Sequence, residues 1–207
     1  IKCSRCQYVD FEEIHGNPLS IGISIDGSLD VNRITDIFFS VQWNEADADV
    51  NRNIQKWMSA NRTCLQLKRS DEVQVLNFFC FAGNKGIELA NGTITGVTGG
   101  SYGRFTNVSL DTIRTGVKID KTGGGSVVFT NIDINAGTWQ GTAVDTDSCF
   151  DITNNESVAL VINGGACRGS RGDGINYAPT NAENGAVSFT VSDFSINAIG
   201  QGATSGK

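Results

Sequence analysis

GIELANGTITG, residues 86–96, opens with a glycine followed by apolar, polar and apolar residues in alternation, and the chain keeps returning to that opening. Residues 22–26 read GISID, 116–120 GVKID, 149–153 CFDIT and 174–178 GINYA. Superposing the segments puts Ile23, Leu65, Ile87, Val117, Phe150 and Ile175 in one column, and Ile25, Leu67, Leu89, Ile119, Ile152 and Tyr177 in another. Between them stand Ser24, Gln66, Glu88, Lys118, Asp151 and Asn176, all polar. Two apolar columns around a polar one are the period-2 signature of a strand with one buried face.

A second repeat precedes most copies of the first. RITDIFF (33–39), QVLNFFC (74–80), RFTNVSL (104–110), VFTNIDI (128–134) and LVINGGA (160–166) share an apolar residue and then, mostly, asparagine; SFTVSDFSI (188–196) is looser. Positions in the first column are 42, 22, 30, 33 and 25 residues apart. A shortest spacing of 22 with variable insertions describes one coil per repeat, with loops at fixed corners. An antiparallel sandwich has no reason to keep like residues in register. Asn77, Asn107, Asn131 and Asn163 align at one offset, where stacked amides can form a hydrogen-bonded ladder. The reading is all-β: a right-handed parallel β-helix (solenoid) of about six to seven coils with one short inserted helix.

Composition agrees. Glycine is frequent, at 25 residues against 2 prolines, and only 18% of residues are charged. A net charge of -6 offers no basic patch to displace nucleic-acid counterions, so nucleic acid is excluded as a partner. No apolar run approaches the ~18 residues of a membrane span. A single β-helix domain is expected over residues 1–207. Because the chain opens in mid-pattern at IKCSRCQYVDFEEI, it is expected to be a fragment lacking N-terminal coils. Residues 41–63 break the pattern as an insertion. Val50, Ile54, Trp57 and Met58 fall on one helical face behind Asp49 as N-cap, predicting a short amphipathic helix packed on the coil.

GISIDGSLDVNRITDIFF, the tryptophan-containing insertion and VLNFFCFAGNKGIELAN together resemble bacterial and phage proteins of the pectate-lyase-like β-helix superfamily. The resemblance spans roughly residues 9–200 and rests on rung-forming positions, which specify fold more than chemistry. It implies a secreted or tailspike-type polysaccharide depolymerase, hydrolase or lyase, and for a tailspike a homotrimer. The superfamily's galacturonase motifs are absent, and the only histidine is His15. No catalytic residue carries over by motif.

Candidates therefore come from placement. Stacked coils would set Glu88, Lys118 and Asp151 one above another at ~4.8 Å steps, with Asp120 in the next outward column. Glu88–Asp120 and Asp120–Asp151 would each be about 8 Å apart, within the ~6.5–9.5 Å carboxyl separation of an inverting glycosidase. Lys118 is the alternative base of a lyase, although flanking acids keep it protonated. The competing account is structural: opposite charges alternate because like charges on adjacent rungs repel. Trp139, Asp145 and Asp147 form a second set, a ring platform beside acids that suits a sugar. Trp139 could equally cap its loop. Asp145, Asp147 and Asp151 could instead ligate Ca²⁺, the one cofactor considered; otherwise no metal or cofactor is expected. Arg168 and Arg171 can grip a carboxylate such as a uronic or sialic acid. The RGD at 171–173 is too short to carry weight as a recognition motif.

The cysteines complete the reading. Cys64 and Cys149 share the glycine corner column, three coils and ~14 Å apart, beyond the ~7 Å Cα limit for a bridge. Cys80 aligns with inward Leu110 and Ile134 and reads as a small buried hydrophobe. Cys3 and Cys6 make a lone CxxC, without the second pair zinc needs. Free thiols would mean assembly in a reducing compartment, for an extracellular or virion-associated product. The expectation is an enzyme acting on an extended polysaccharide; the alternative is a glycan-binding adhesin or structural fibre module without chemistry.

Overall fold

Parallel pairing in strict register needs like residues on successive strands, and the repeated columns supply them. The computed structural model describes residues 1–41, 48–94, 96–137, 147–153, 158–170, 172–178 and 187–197. Its first part holds β1 (Lys2–Gln7), β2 (Asp10–Glu12), β3 (His15–Gly16), β4 (Ile21–Leu29), β5 (Asn32–Phe39), α1 (Ala48–Asn61) and β6 (Thr63–Ser70). Then come β7 (Val73–Ala90), β8 (Gly92–Ile94), β9 (Val97–Gly99), β10 (Ser101–Ile119) and β11 (Thr122–Ala136). The last are β12 (Ser148–Ile152), β13 (Val158–Arg168), β14 (Ile175–Tyr177) and β15 (Val187–Asn197). Among the described residues, thirteen strands form one sheet whose pairings are all parallel; β8 and β9 form a separate antiparallel pair. Such stacking is consistent with a parallel β-helix.

The long strands β7 and β10 each run through a corner and serve two walls. Their N-terminal halves pair with each other between β5 and β11, and their C-terminal halves between β6 and β12. On the first wall Ile23, Leu65, Ile87, Val117, Phe150 and Ile175 are in register. The first five are completely buried and Ile175 packs partly against the same core, as the alternation predicted. In the companion column Ile25 to Ile152 are buried, while Tyr177, at the far end, is 49% exposed. The second wall adds Phe105 and Phe129, stacked at 4.7 Å, with Phe150 edge-on at 5.5 Å from Phe129.

The corner of the second wall is a column of left-handed residues: Glu13, Asp36, Asn77, Asn107, Asn131, Gly164 and Asp193, with φ between 50° and 76°. Asparagine tolerates that conformation and uses its amide locally. Asn77 donates to Asp36 (2.8 Å), Asn107 to Asn77 (3.2 Å) and Asn131 to Asn107 (2.9 Å). The predicted fourth asparagine is not in this ladder. Asn163 pairs with Thr130, one position earlier, and Gly164 takes the corner. The reason is the pleat: Ile162 must face inward opposite Phe129, which shifts the aligned segment by one residue.

Helix α1 lies within the predicted insertion. Met58 is buried with Val41 and Ala82, and Ile54 packs beside them. Val50 and Trp57, expected on the same apolar face, are exposed. The helix starts at Ala48, so Asp49 sits in the first turn rather than at the cap, where its charge favours the helix dipole and it pairs with Arg52 at 3.4 Å. Beyond the helix, Arg62 is fully buried; its Nη1 donates to the carbonyls of Phe81 and Ala82, each at 3.2 Å. Burial without a carboxylate among its hydrogen-bond partners pulls its pKa down to about 10.

The cysteines correct the sequence reading: Cys3–Cys6, Cys64–Cys80 and Cys149–Cys167 are disulfides, and none of the six is free. Cys64 and Cys149 are not bridged to each other, but each is bridged across the interior. The corner glycines show why. A Cβ on Gly86 would lie 2.6 Å from the Leu110 side chain, and one on Gly116 2.6 Å from that of Ile134. The corner column therefore faces the column of Phe39, Cys80, Leu110, Ile134 and Cys167, which is itself in register. Glycine meets a large side chain; cysteine meets cysteine. The same one-residue shift that displaces Asn163 brings Cys167, not Ala166, into that column.

Candidate functional site

The polar column of the first wall forms as predicted, with Gln66, Glu88, Lys118, Asp151 and Asn176 on successive strands in register. Its side chains bond to one another. Ser24 donates to Gln66 (3.2 Å), and Gln66 to Glu88 Oε2 (2.6 Å), while Lys85 holds Glu88 Oε1. Lys118 Nζ donates to Asp151 Oδ2 at 2.6 Å and lies 3.3 Å from Asp120; Asn176 donates to Asp151 Oδ1 at 2.9 Å. Thr153 donates to Asp120 Oδ1 at 2.7 Å. Glu88 is buried. Desolvation pulls the Lys118 ammonium down, but hydrogen bonding to Asp151 and the charges of Asp120 and Asp151 outweigh it and raise the pKa above the ordinary lysine value. A lysine so held stays protonated and makes a poor base.

Of the remaining predicted residues, the described ones, Asp147 and Arg168, do not join this column. Asp147 is 1% exposed and pairs with Arg114 at 3.1 Å, while its backbone carbonyl accepts from Ser170 at 2.7 Å. Its carboxylate thus pins a strand entrance rather than facing a ligand. Arg168 is exposed on the second wall, where Nη2 donates to Asp133 at 2.9 Å. Trp139, Asp145 and Arg171 lie outside the described residues. Of the three Ca²⁺ candidates, Asp145 lies outside the described residues, Asp147 pairs with Arg114, and Asp151 is held by Lys118 and Asn176. Among the described residues no group of three or more His, Cys, Asp or Glu side chains is placed to hold a metal ion.

A different face is open. The outward column of the second wall runs His15, Phe38, Phe79, Ser109 and Asp133 in register. Phe38 and Phe79 stack at 4.6 Å, 16° from parallel, and His15 leans on Phe38 at 6.0 Å. Two cavities follow this column. One, of about 360 Å³, is lined by His15, Phe38, Phe79, Asn77, Asn107 and Ser109, among others. The next, of about 310 Å³, is lined by Phe79, Ser109, Asp111, Asp133, Asn135 and Arg168, with Leu110 behind. They share Phe79 and Ser109 and so form one groove along the stacking direction, flanked by the asparagine ladder and by Asn135, which donates to Asp111 at 2.8 Å. Sequence reasoning does not single it out, because it reads the repeat for its asparagine corner and not for the residues two positions beyond. Alternation carries the signal: Phe39 and Phe78 are buried, so their neighbours Phe38 and Phe79 face out.

Compared with family models, with curated proteins and with solved structures, the chain finds no match.

Proposed function

We propose that the protein is a glycan-binding right-handed β-helix of about six to seven coils, of the pectate-lyase-like kind its sequence resembles. It engages an extended polysaccharide along the groove from His15 to Asp133. The observation that carries the reading is the shared groove, in which outward rings on three successive strands give way to Ser109 and then Asp133, with Asp111 and Asn135 beside them. Aromatic faces against the apolar side of a sugar, with polar groups taking its hydroxyls, make an orienting site on an otherwise solvated wall. Three disulfides favour an oxidising environment, in keeping with an extracellular or virion-surface protein rather than one assembled among reduced thiols.

Cleavage is the second reading, favoured by one feature. Asp111 and Asp133 border the same cavity, one rung across and two residues along, a relationship worth about 8 Å and inside the ~6.5–9.5 Å range of inverting glycosidases. The saturated ladder of Glu88, Lys118, Asp120 and Asp151 suits a structural part better. Incubation with a polysaccharide panel, following reducing ends and unsaturated-uronate absorbance beside a direct binding assay, separates the cases. Binding with neither product supports the first reading and reducing ends alone the second. Failure to bind any glycan sinks both.

A further inference from the structure

The outward column changes character at one step. His15, Phe38 and Phe79 put rings on successive strands, and the next strand puts Ser109 in the same register position. One face of Phe79 is covered by Phe38. The other looks along the column towards Ser109, whose hydroxymethyl group is too small to cover a ring. Both cavities border these two residues, so the step from Phe79 to Ser109 lies where the two meet.

Resting on the glycan-binding reading, we propose that the free face of Phe79 above Ser109 is a ring-stacking subsite for a neutral pyranose of an oligosaccharide. The sugar lies as the next ring of the aromatic column, at the ~4.8 Å spacing of the strands. Asn107 borders one side of that space, and Asp111 and Asp133 border the other. These are chiefly acceptors for hydroxyl donors. The charge of the walls selects the sugar. Asp36, Asp111 and Asp133 border the groove, and the one guanidinium among its described lining residues, Arg168, is already paired with Asp133. A uronate would meet net negative charge with no unpaired guanidinium among the described lining residues to receive it, which favours a neutral sugar. A neutral ligand would leave Arg168 to Asp133 rather than to an acidic sugar.

The test fills the gap from the protein's side. Ser109→Phe extends the aromatic column by one member and occupies the subsite, while Ser109→Ala leaves it open. Binding of cellohexaose, laminarihexaose, mannohexaose and chitohexaose is measured by calorimetry beside oligogalacturonate and oligoalginate, with melting temperature recorded for each variant. The expected result is binding to at least one neutral hexasaccharide, no binding of either uronate, loss of at least tenfold in affinity for Ser109→Phe at an undiminished melting temperature, and a clearly smaller loss for Ser109→Ala. Phe79→Leu keeps apolar volume without a ring and should weaken binding roughly 3- to 10-fold; it decides the matter should Ser109→Phe fail to fold. Neutral-glycan binding that Ser109→Phe leaves intact overturns the subsite while glycan binding stands. Equal binding of uronates overturns the assignment of a neutral ligand. No binding of any glycan overturns the functional reading and the subsite with it.

Discussion

Cys64 stands 6.4 Å from Cys80, Cα to Cα, across the interior at a corner of the stack, in the relationship that Gly86 and Leu110 hold one rung on. Two solutions to one packing problem alternate along the protein: a glycine that admits a large side chain, or two cysteines that share the space as a bond.

That equivalence can be exchanged. Cys64→Gly alone opens the bridge and leaves a void. Cys64→Gly combined with Cys80→Leu copies the Gly86–Leu110 pair and should recover part of the loss. Each bridge closes a short loop, 16 or 18 residues, worth about 3 kcal/mol in the chain-entropy account. Chemical denaturation of the single and double variants checks this; a double variant no better than the single one refutes the pairing of columns. Peptide mapping without reduction should recover Cys64–Cys80 and Cys149–Cys167.

Gly86→Ala and Gly116→Ala should each cost about 2–4 kcal/mol, because the new Cβ would lie 2.6 Å from a backbone carbonyl as well as from Leu110 or Ile134. Trimming Leu110 to alanine in the Gly86→Ala background should rescue little, since the Gly116 carbonyl remains in the way. Denaturation midpoints decide.

In the asparagine ladder, Asn107→Gly keeps the left-handed backbone and loses only its amide bonds, about 1–2 kcal/mol. Asn107→Val adds the strain of a β-branched residue at φ 53°, roughly 1–2 kcal/mol more. Equal stability of the two variants would mean the corner is not held as described.

Alkaline melts probe Lys118. Its pKa is raised in the folded protein, so its contribution is full below the ordinary lysine value and is lost as pH rises through its own. Tyr102 acts in the same direction: burial, then Asp71 and Glu72, raise the phenol, and folding must give up that preference as it ionises. Melting temperature should therefore fall as pH rises above the ordinary tyrosine and lysine values, and Lys118→Gln should flatten part of the fall. An unchanged slope in the variant would remove Lys118 as a cause.

Glu88→Gln should lower stability by about 1–2 kcal/mol, because a buried carboxylate bonded to Gln66 and Lys85 is replaced by a neutral amide. Glycan affinity should stay within about twofold, since the ladder lies on the first wall and the groove on the second. Lost glycan affinity or cleavage at an unaltered melting temperature would return the site to the ladder.

Alternation of period two is a local property, so Ile23 to Ile175, the polar column beside them and the parallel stacking were legible in the chain, as was the inserted helix. Alternation and helical spacing depend on neighbours two to eight residues away, and the stacking on copies of one pattern 22 to 42 residues apart. Which column faces which is a different matter. It depends on where corners fall after insertions of unequal length, and a slip of one residue at Asn163 was enough to hide Cys167. The bond between Cys149 and Cys167 and the burial of Asp147 against Arg114 were decided only in three dimensions. Each requires the interior to be filled from both walls at once, and close packing, unlike alternation, is a condition on residues that the sequence keeps far apart.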